Sequence, residues 1–314
     1  MKIVVPEKIS ARGIQEFEAA GFQVVQLTPA SVASGELAKE LADADGLVVR
    51  SAVKVTAELL KSAPKLRVIG RAGVGIDNVD VPAATARKIV VMNTPGGSSI
   101  SVAELALGMM LALARQLPKA DATTRAGGWE KKSLEGTELN GKTLGLLGCG
   151  RIAAETAKRA RAFDMKIVGY DPFAKPEAAQ AAGITLLALD QVLAQADYLS
   201  LHVALTPETR NLLNDGAFAK MKKGVRVVNC SRGEVIDIEA LQRALESGHV
   251  GGAALDVYPK EPAGALPIFA LPNVIATPHI GASTKEGQER VGTAIAVQIK
   301  NYLTTGEIAN AVTA

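Results

Sequence analysis

Residues 143–171 read TLGLLGCGRIAAETAKRARAFDMKIVGYD. Leu144, Leu146 and Leu147 make the short apolar run that a buried strand needs. The turn Gly148-Cys149-Gly150-Arg151-Ile152-Ala153 follows, then a helix-forming segment rich in Ala, Lys and Arg, then the apolar run 167–170, which ends in Asp171. Strand, glycine turn, helix, strand and acid in this order make a dinucleotide-binding βαβ unit. Gly148 permits the tight turn, Gly150 lets the backbone approach a pyrophosphate without a Cβ in the way, and Ala153 still allows close packing of helix on strand. The helix start, Arg151-Ile152, offers unpaired N–H groups and the positive end of its dipole to phosphate. Asp171, about 20 residues beyond the turn, is placed to accept both ribose hydroxyls and to repel a 2′-phosphate. Pro172-Phe173 brings no arginine to welcome that phosphate, so the reading is NAD rather than NADP.

The surrounding chain suits such a unit. Its 314 residues suggest two domains with ample core, and 48% hydrophobic against 4% aromatic residues points to the Val/Ile/Leu/Ala packing of parallel α/β sheets. The 35 basic and 32 acidic residues are spread evenly, with no basic block to suggest nucleic acid. The start, MKIVVPEKIS, reads directly as a strand and lacks a signal peptide's apolar core. The most apolar helix candidate, 102–114, is interrupted by Glu104 and too short to span a bilayer. Cys149 and Cys230 have no metal-type spacing, so no metal is expected. A cytoplasmic protein with no membrane partner is the expectation.

In chain order, strands are expected at 2–6, 22–26, 46–50, 66–70 and 89–92 with helical patterns between them, a first α/β domain. Its glycine stretch Gly73-Val74-Gly75 is followed by a strand ending at Asn93, with no acid to hold a ribose. It reads instead as a loop that bares backbone amides to a small anion. Ser101-Val102-Ala103-Glu104 has the form of a capping box opening a helix to about Arg115, and Trp129 is expected to be a packing anchor. Beyond Asp171, strands are expected at 198–201, 225–229, 253–257 and 274–276. A second capping box, 283–286, opens a last helix whose stripe Val291, Ile295, Ile299, Tyr302 must pack on something, which implies a return to the first domain.

Dehydrogenation of an alcohol requires a base for the hydroxyl proton and a cation to orient an anionic substrate. Of three histidines, His249 sits in an expected exposed turn, and His202 ends a strand where a cofactor contact and a structural role both remain open. His279 follows the last strand, at the carboxyl edge where open α/β sheets bind ligands. Arg232, Asp256 and Glu261 follow other strands to the same edge, and a carboxylate beside His279 would fix its tautomer. Arg50 and Arg71 at strand ends suit a phosphate clamp, and ordinary surface arginines remain the other reading.

With these residues in view, the chain resembles the D-isomer-specific 2-hydroxyacid dehydrogenases over essentially its whole length. The resemblance is carried by VVRSAVKVTAELL (48–60), GRAGVGIDNVD (70–80), MNTPGGSSISVAEL (92–105), GTELNGKTLGLLG (136–148), KKGVRVVNCSRG (222–233), GGAALDVYPKEP (251–262) and TPHIGASTKEGQ (277–288). It implies two doubly wound parallel-sheet α/β domains. A Rossmann NAD domain, 98–283, would be inserted in a flavodoxin-like substrate domain, 1–97 and 284–314. It implies His279 as acid/base, Glu261 as its partner and Arg232 as the substrate-orienting arginine. It implies an NAD site lined by Val74, Gly148, Gly150, Arg151, Ile152, Asp171, Val203, Cys230, Ser231, Arg232, Asp256, His279, Gly281 and Ala282, with Asp256 on the nicotinamide carboxamide. Substrate carboxylate and phosphate would fall to Arg50, Arg71, Gly73, Val74 and Gly75, with Arg232 and His279.

The activity so implied is oxidation of a phosphorylated hydroxy acid, 3-phospho-D-glycerate, to 3-phosphohydroxypyruvate by a homodimer joined through the NAD domain. The alternatives are a reductase of glyoxylate, hydroxypyruvate or D-lactate, and an NADH-sensing binding protein. Three positions depart from the family pattern: Ala153 for Gly, Ser98 where Asn is usual, and Ala204 where Pro is usual, which is expected to loosen a cofactor-side loop. The chain stops where many relatives continue into regulatory domains, so no serine-feedback site is expected within it.

Overall fold

A computed structural model describes residues 1–312, which form two compact units: residues 1–98 with the chain from 282 onward, and residues 99–281. In the first, strands β1 (Lys2–Val5), β2 (Gln23–Gln26), β3 (Gly46–Val49), β4 (Val68–Arg71) and β5 (Val90–Met92) pair in parallel in the order β2-β1-β3-β4-β5. Ile3, Val4, Val5, Leu47, Val48, Val49, Val68 and Ile69 are buried on both faces of the sheet, which is why these runs are continuously apolar rather than alternating. This is the flavodoxin-like order, and its switch point lies between β1 and β3. The outer edge of β5 is covered by the chain's tail: Met92 bridges Ala311 in antiparallel fashion, and the Val312 N–H donates to the Val91 carbonyl at 2.8 Å.

The stripe on the last helix, Lys285–Thr305, returns to this unit as expected. Val291, Ile295 and Ile299 are buried with Ile3, Val5, Phe17 and Met92, and Tyr302 packs beside them under the Arg67 guanidinium, 5.7 Å from its ring centroid. The helix begins one residue later than the expected capping box. Thr284, not Ser283, has the extended cap backbone, and its Oγ accepts from the Gly287 N–H at 3.0 Å. The helix Ala11–Ala19 lies against it so closely that a Cβ at Gly13 would sit 2.6 Å from the Gly292 carbonyl oxygen.

The second unit holds β6 (Thr143–Leu147), β7 (Lys166–Tyr170), β8 (Thr185–Leu186), β9 (Tyr198–Leu201), β10 (Val225–Asn229), β11 (Val250–Leu255) and β12 (Val274–Ala276), all parallel, in the order β12-β11-β10-β9-β6-β7-β8. The strand order reverses between β6 and β9, the switch point of a Rossmann fold. Two expectations are corrected here. The helix expected to open at Ser101 spans Ser99–Arg115, so Ser101 lies buried inside it and is no cap; the preceding Gly96-Gly97-Ser98 already frees the chain to turn. The strand expected at 253–257 runs instead as β11 from Val250 to Leu255, because Gly251 and Gly252 let neighbouring backbone come close. A Cβ at Gly251 would lie 2.7 Å from the Gly224 carbonyl oxygen.

Trp129 is likewise not a packing anchor: it is 85% exposed, flanked by glycines and by exposed charged residues that offer no apolar face to share. Among the described residues no single helix is long and apolar enough to cross a membrane.

The helix contact at Gly13 carries a test. Gly13→Ala forces backbone against backbone, and urea denaturation is expected to read a loss of about 1–3 kcal/mol.

Candidate active site

Six strands of the second sheet end on one line. Pairing places Tyr170 opposite Leu147, Leu147 opposite Leu201, Leu201 opposite Asn229, Asn229 opposite Leu255, and Leu255 opposite Ala276. The next residues along the line are therefore Asp171, Gly148, His202, Cys230, Asp256 and Thr277, five of them on or beside residues that the sequence singled out.

At the switch point the turn after β6 crosses the end of β9 without room for a side chain. Gly148 has φ +85°, and a Cβ there would stand 2.7 Å from the His202 carbonyl oxygen. Gly150, the cap of the helix Arg151–Arg161, faces open space with nothing within 4 Å of a built Cβ, and no side chain caps that helix. Asp171 belongs to the same turn: its Oδ2 accepts from the Cys149 N–H at 2.9 Å and its Oδ1 from the Phe173 N–H at 2.9 Å. A bare helix start, an open glycine and a fixed acid fit the pyrophosphate and ribose of a dinucleotide. Burial, helped by Asp171, pushes the Cys149 thiol up to about 12, so it packs as a neutral group. Ala153 is fully buried in the helix–sheet contact. The Ala204 carbonyl accepts from the Thr209 hydroxyl at 2.7 Å.

The loop after β10 is built by Asn229, a residue that sequence reasoning passed over. Its Oδ1 accepts from the Ser231 N–H (3.0 Å) and hydroxyl (2.8 Å), and its Nδ2 donates to the Arg232 carbonyl at 2.9 Å. Arg232 is partly buried, with Nη1 on the Ser231 carbonyl at 2.7 Å. Ser231 is therefore occupied within the loop, and Cys230 points its sulfur at Met109 Sδ, 3.7 Å away.

Asp256 follows β11 and is 1% exposed. Its Oδ1 accepts from the Thr277 hydroxyl (2.6 Å) and the Ile280 N–H (2.8 Å), and its Oδ2 from the Gly281 N–H (2.8 Å). What it holds directly is the loop after β12, which carries His279. That histidine has φ +53°, a left-handed conformation costly for a residue with a Cβ and held here by the bonds on either side of it. Its Nδ1 lies 2.7 Å from Glu261 Oε2, while Glu261 Oε1 accepts from the Tyr258 N–H at 3.1 Å. Tyr258 in turn donates its hydroxyl to the Leu255 and Thr277 carbonyls at 3.0 Å. A carboxylate only accepts, so the ring proton sits on Nδ1 and Nε2 is left as the lone-pair face. Both side chains are partly exposed, at 46% and 37%.

In the first unit, Arg50 and Arg71 stand at the ends of β3 and β4. The Arg71 guanidinium occupies the space beside Gly73, where a Cβ would collide with Nη1, and Gly73 has φ +148°. Asn93 Nδ2 donates to the Val74 carbonyl at 2.7 Å, and Thr94 N–H to the Gly73 carbonyl at 2.9 Å, so the Gly73–Gly75 loop is held by its neighbours across the sheet. Ala282 accepts from Gln288 Nε2 at 2.7 Å. His249 is half-buried in its turn rather than exposed.

A parallel sheet that parts between a glycine turn and a neighbouring strand end, with an acid on one side and an imidazole–carboxylate pair farther along, is a dinucleotide-binding domain equipped for proton transfer. Residues 107–281 match the NAD binding domain of the D-isomer specific 2-hydroxyacid dehydrogenases. The chain belongs to that family. It is 50% identical over 297 residues to a D-3-phosphoglycerate dehydrogenase of Rattus norvegicus, covering 95% of this chain and 55% of that protein. The chain thus spans about half the length of the curated relatives it matches. Among solved structures it resembles a glyoxylate reductase from Paecilomyes thermophila, with TM-score 0.88, 32% identity, and 99% and 98% of the two chains covered. It also resembles an NAD+-bound 3-phosphoglycerate dehydrogenase of Entamoeba histolytica, with TM-score 0.85, 32% identity, and 100% and 99% covered.

His202, beside the switch point, supplies a pH test. Its Nε2 shares a 3.0 Å hydrogen bond with the Ser200 hydroxyl, and its enclosed Nδ1 finds no partner among the described residues. Burial lowers its pKa from 6.5 to about 4. The unfolded chain therefore binds the extra proton first, and the stability carried by the neutral ring is present above about pH 6.5 and lost progressively down to about pH 4. Between neutral pH and about pH 4, the wild type is expected to lose on the order of 2 kcal/mol more than His202→Asn in paired urea titrations, somewhat below the full pKa displacement because the ring is not wholly enclosed.

Proposed function

We propose that the chain catalyses NAD-dependent oxidation of 3-phospho-D-glycerate to 3-phosphohydroxypyruvate, the entry step of serine synthesis. The observation that carries the reading is the 2.7 Å His279–Glu261 pair on the strand-end line that also bears Asp171 and the glycine turn. The 50% identity to a D-3-phosphoglycerate dehydrogenase supports the substrate.

In this reading the first unit is the substrate-binding domain and the second the NAD domain. In the second unit Arg232 is the arginine suited to the substrate carboxylate, and in the first unit Arg50 and Arg71 suit the phosphate and the Gly73–Gly75 amides a small anion. NAD supplies the hydride acceptor. His279 Nε2 takes the hydroxyl proton, and Glu261, already bonded to Nδ1, stabilises the imidazolium so formed. Asp256 works through the loop it holds, which fixes the unusual backbone of His279. The same family reading makes the protein a cytoplasmic homodimer joined through the NAD domain, acting on a small molecule and not on nucleic acid or membrane.

Two measurements test this. NADH consumption with phosphohydroxypyruvate, run beside hydroxypyruvate, glyoxylate and pyruvate, is expected to favour the phosphorylated acid strongly. Equal rates without the phosphate would move the chain toward the glyoxylate reductase that its fold also resembles, and NADH binding without turnover on any of them would make it a sensing protein. His279→Asn is expected to lower kcat by about 100-fold or more with NADH binding retained, and a near-normal rate would remove His279 from the chemistry.

A further inference from the structure

Glu7 lies in the loop after β1, on one side of the switch point of the first sheet, and Arg50 to Val53 form the loop after β3 on the other. In open α/β sheets this is the crevice where ligands bind. The Glu7 carboxylate crosses it and accepts four consecutive backbone N–H groups. Oε2 takes those of Arg50 (2.8 Å) and Val53 (3.2 Å), and Oε1 those of Ser51 (3.1 Å) and Ala52 (2.9 Å). The bond from the next residue reinforces the grip, because the Lys8 carbonyl accepts from Arg50 Nη1 at 3.4 Å. From the far side, Asn78 Nδ2 donates to the Arg50 carbonyl (3.1 Å) and the Val53 carbonyl (2.7 Å). Arg50 is thus held at its N–H, its carbonyl and its guanidinium.

We infer that Glu7 is a positioning residue for phosphate recognition, its carboxylate seated in the four-amide nest of residues 50–53 so that Arg50 is presented at the switch point. The inference rests on the proposed phosphorylated substrate. A flexible arginine must surrender its rotamer freedom when it captures an anion, and a backbone and side chain already tied in place surrender less. A carboxylate near an anion site would ordinarily repel the ligand. Here both oxygens are spent on N–H donors, so the groups left to face solvent on this loop are the cation and its neighbours. Nothing in the sequence marks Glu7, which reads as one more charge after a strand.

Glu7→Gln replaces one accepting oxygen with an amide donor that faces N–H groups. It is expected to raise the KM for phosphohydroxypyruvate about 10-fold, to keep kcat within about 2-fold, and to leave the KM for hydroxypyruvate unchanged. In an Arg50→Ala background the same change is expected to add little further, because both act on one contact. Should Glu7→Gln fold poorly, Glu7→Asp, too short to reach all four amides, serves instead. The ratio of the two KM values does not depend on the active fraction. If Arg50→Ala raises the phosphorylated KM but Glu7→Gln does not, or if Glu7→Gln raises both KM values in parallel, the inference is overturned while the function stands. If Arg50→Ala itself leaves the phosphorylated KM unaltered, phosphate recognition at this loop fails and the inference falls with it.

Discussion

Parallel pairing in a single register is the constraint on which the second unit depends. Because Tyr170, Leu147, Leu201, Asn229, Leu255 and Ala276 are paired neighbours, every loop that leaves them emerges at one edge and at one height. A slip of one residue in any strand would turn its side chains to the opposite face and carry one functional group out of line. The continuous burial of Leu144–Leu147, Val227–Asn229 and Ala253–Leu255 resists such a slip, since neither face of these stretches tolerates exposure. Core packing and the placing of Asp171, Arg232 and His279 are in this sense one interaction seen from two ends.

What the register leaves undetermined is the shape of each loop, and the chain uses a recurring device for that. A short polar side chain at or just past a strand end accepts N–H groups from a loop that could not otherwise satisfy them. Asp171 does so for Cys149 and Phe173, Asn229 for Ser231, Asp256 for Ile280 and Gly281, and Glu7 for the four amides of 50–53. A carboxylate bond to an N–H is stronger than a neutral one, and the loops so tied present their remaining groups with less freedom to lose on binding. The strained His279 backbone persists for the same reason: Asp256 holds Ile280 and Gly281 just after it and Thr277 just before it, and Glu261 holds the ring.

Much of this was legible in the chain itself. Gly148, Gly150 and Asp171 announce a dinucleotide turn because each offset answers a steric or electrostatic need that few other residues meet. The buried runs of both sheets, and the stripe of Val291, Ile295 and Ile299, follow from periodicity, since apolar side chains must find a common face. Where reading failed, the cause was local ambiguity. Ser101 and Ser283 look like caps because the motif is short, and helix starts are set by neighbouring backbone as well as by the motif. The strand expected from residue 253 starts at Val250 because glycine is a weak strand signal by itself, and only the neighbouring Gly224 backbone shows why Gly251 belongs in the strand.

The sequence by itself determined the elements, the continuous burial that makes the sheets parallel, and the residue types able to carry dinucleotide binding and proton transfer. These depend on covalent geometry and on short-range patterns that the chain states directly. Only the tertiary structure decided that Glu261 meets Nδ1 of His279, that Asp256 turns inward to hold a loop, that Asn229 shapes the turn before Arg232, and that Glu7 reaches across to residues 50–53. Each joins groups between 2 and 46 positions apart, and a hydrogen bond of about 3 Å exists only once packing has brought its partners together.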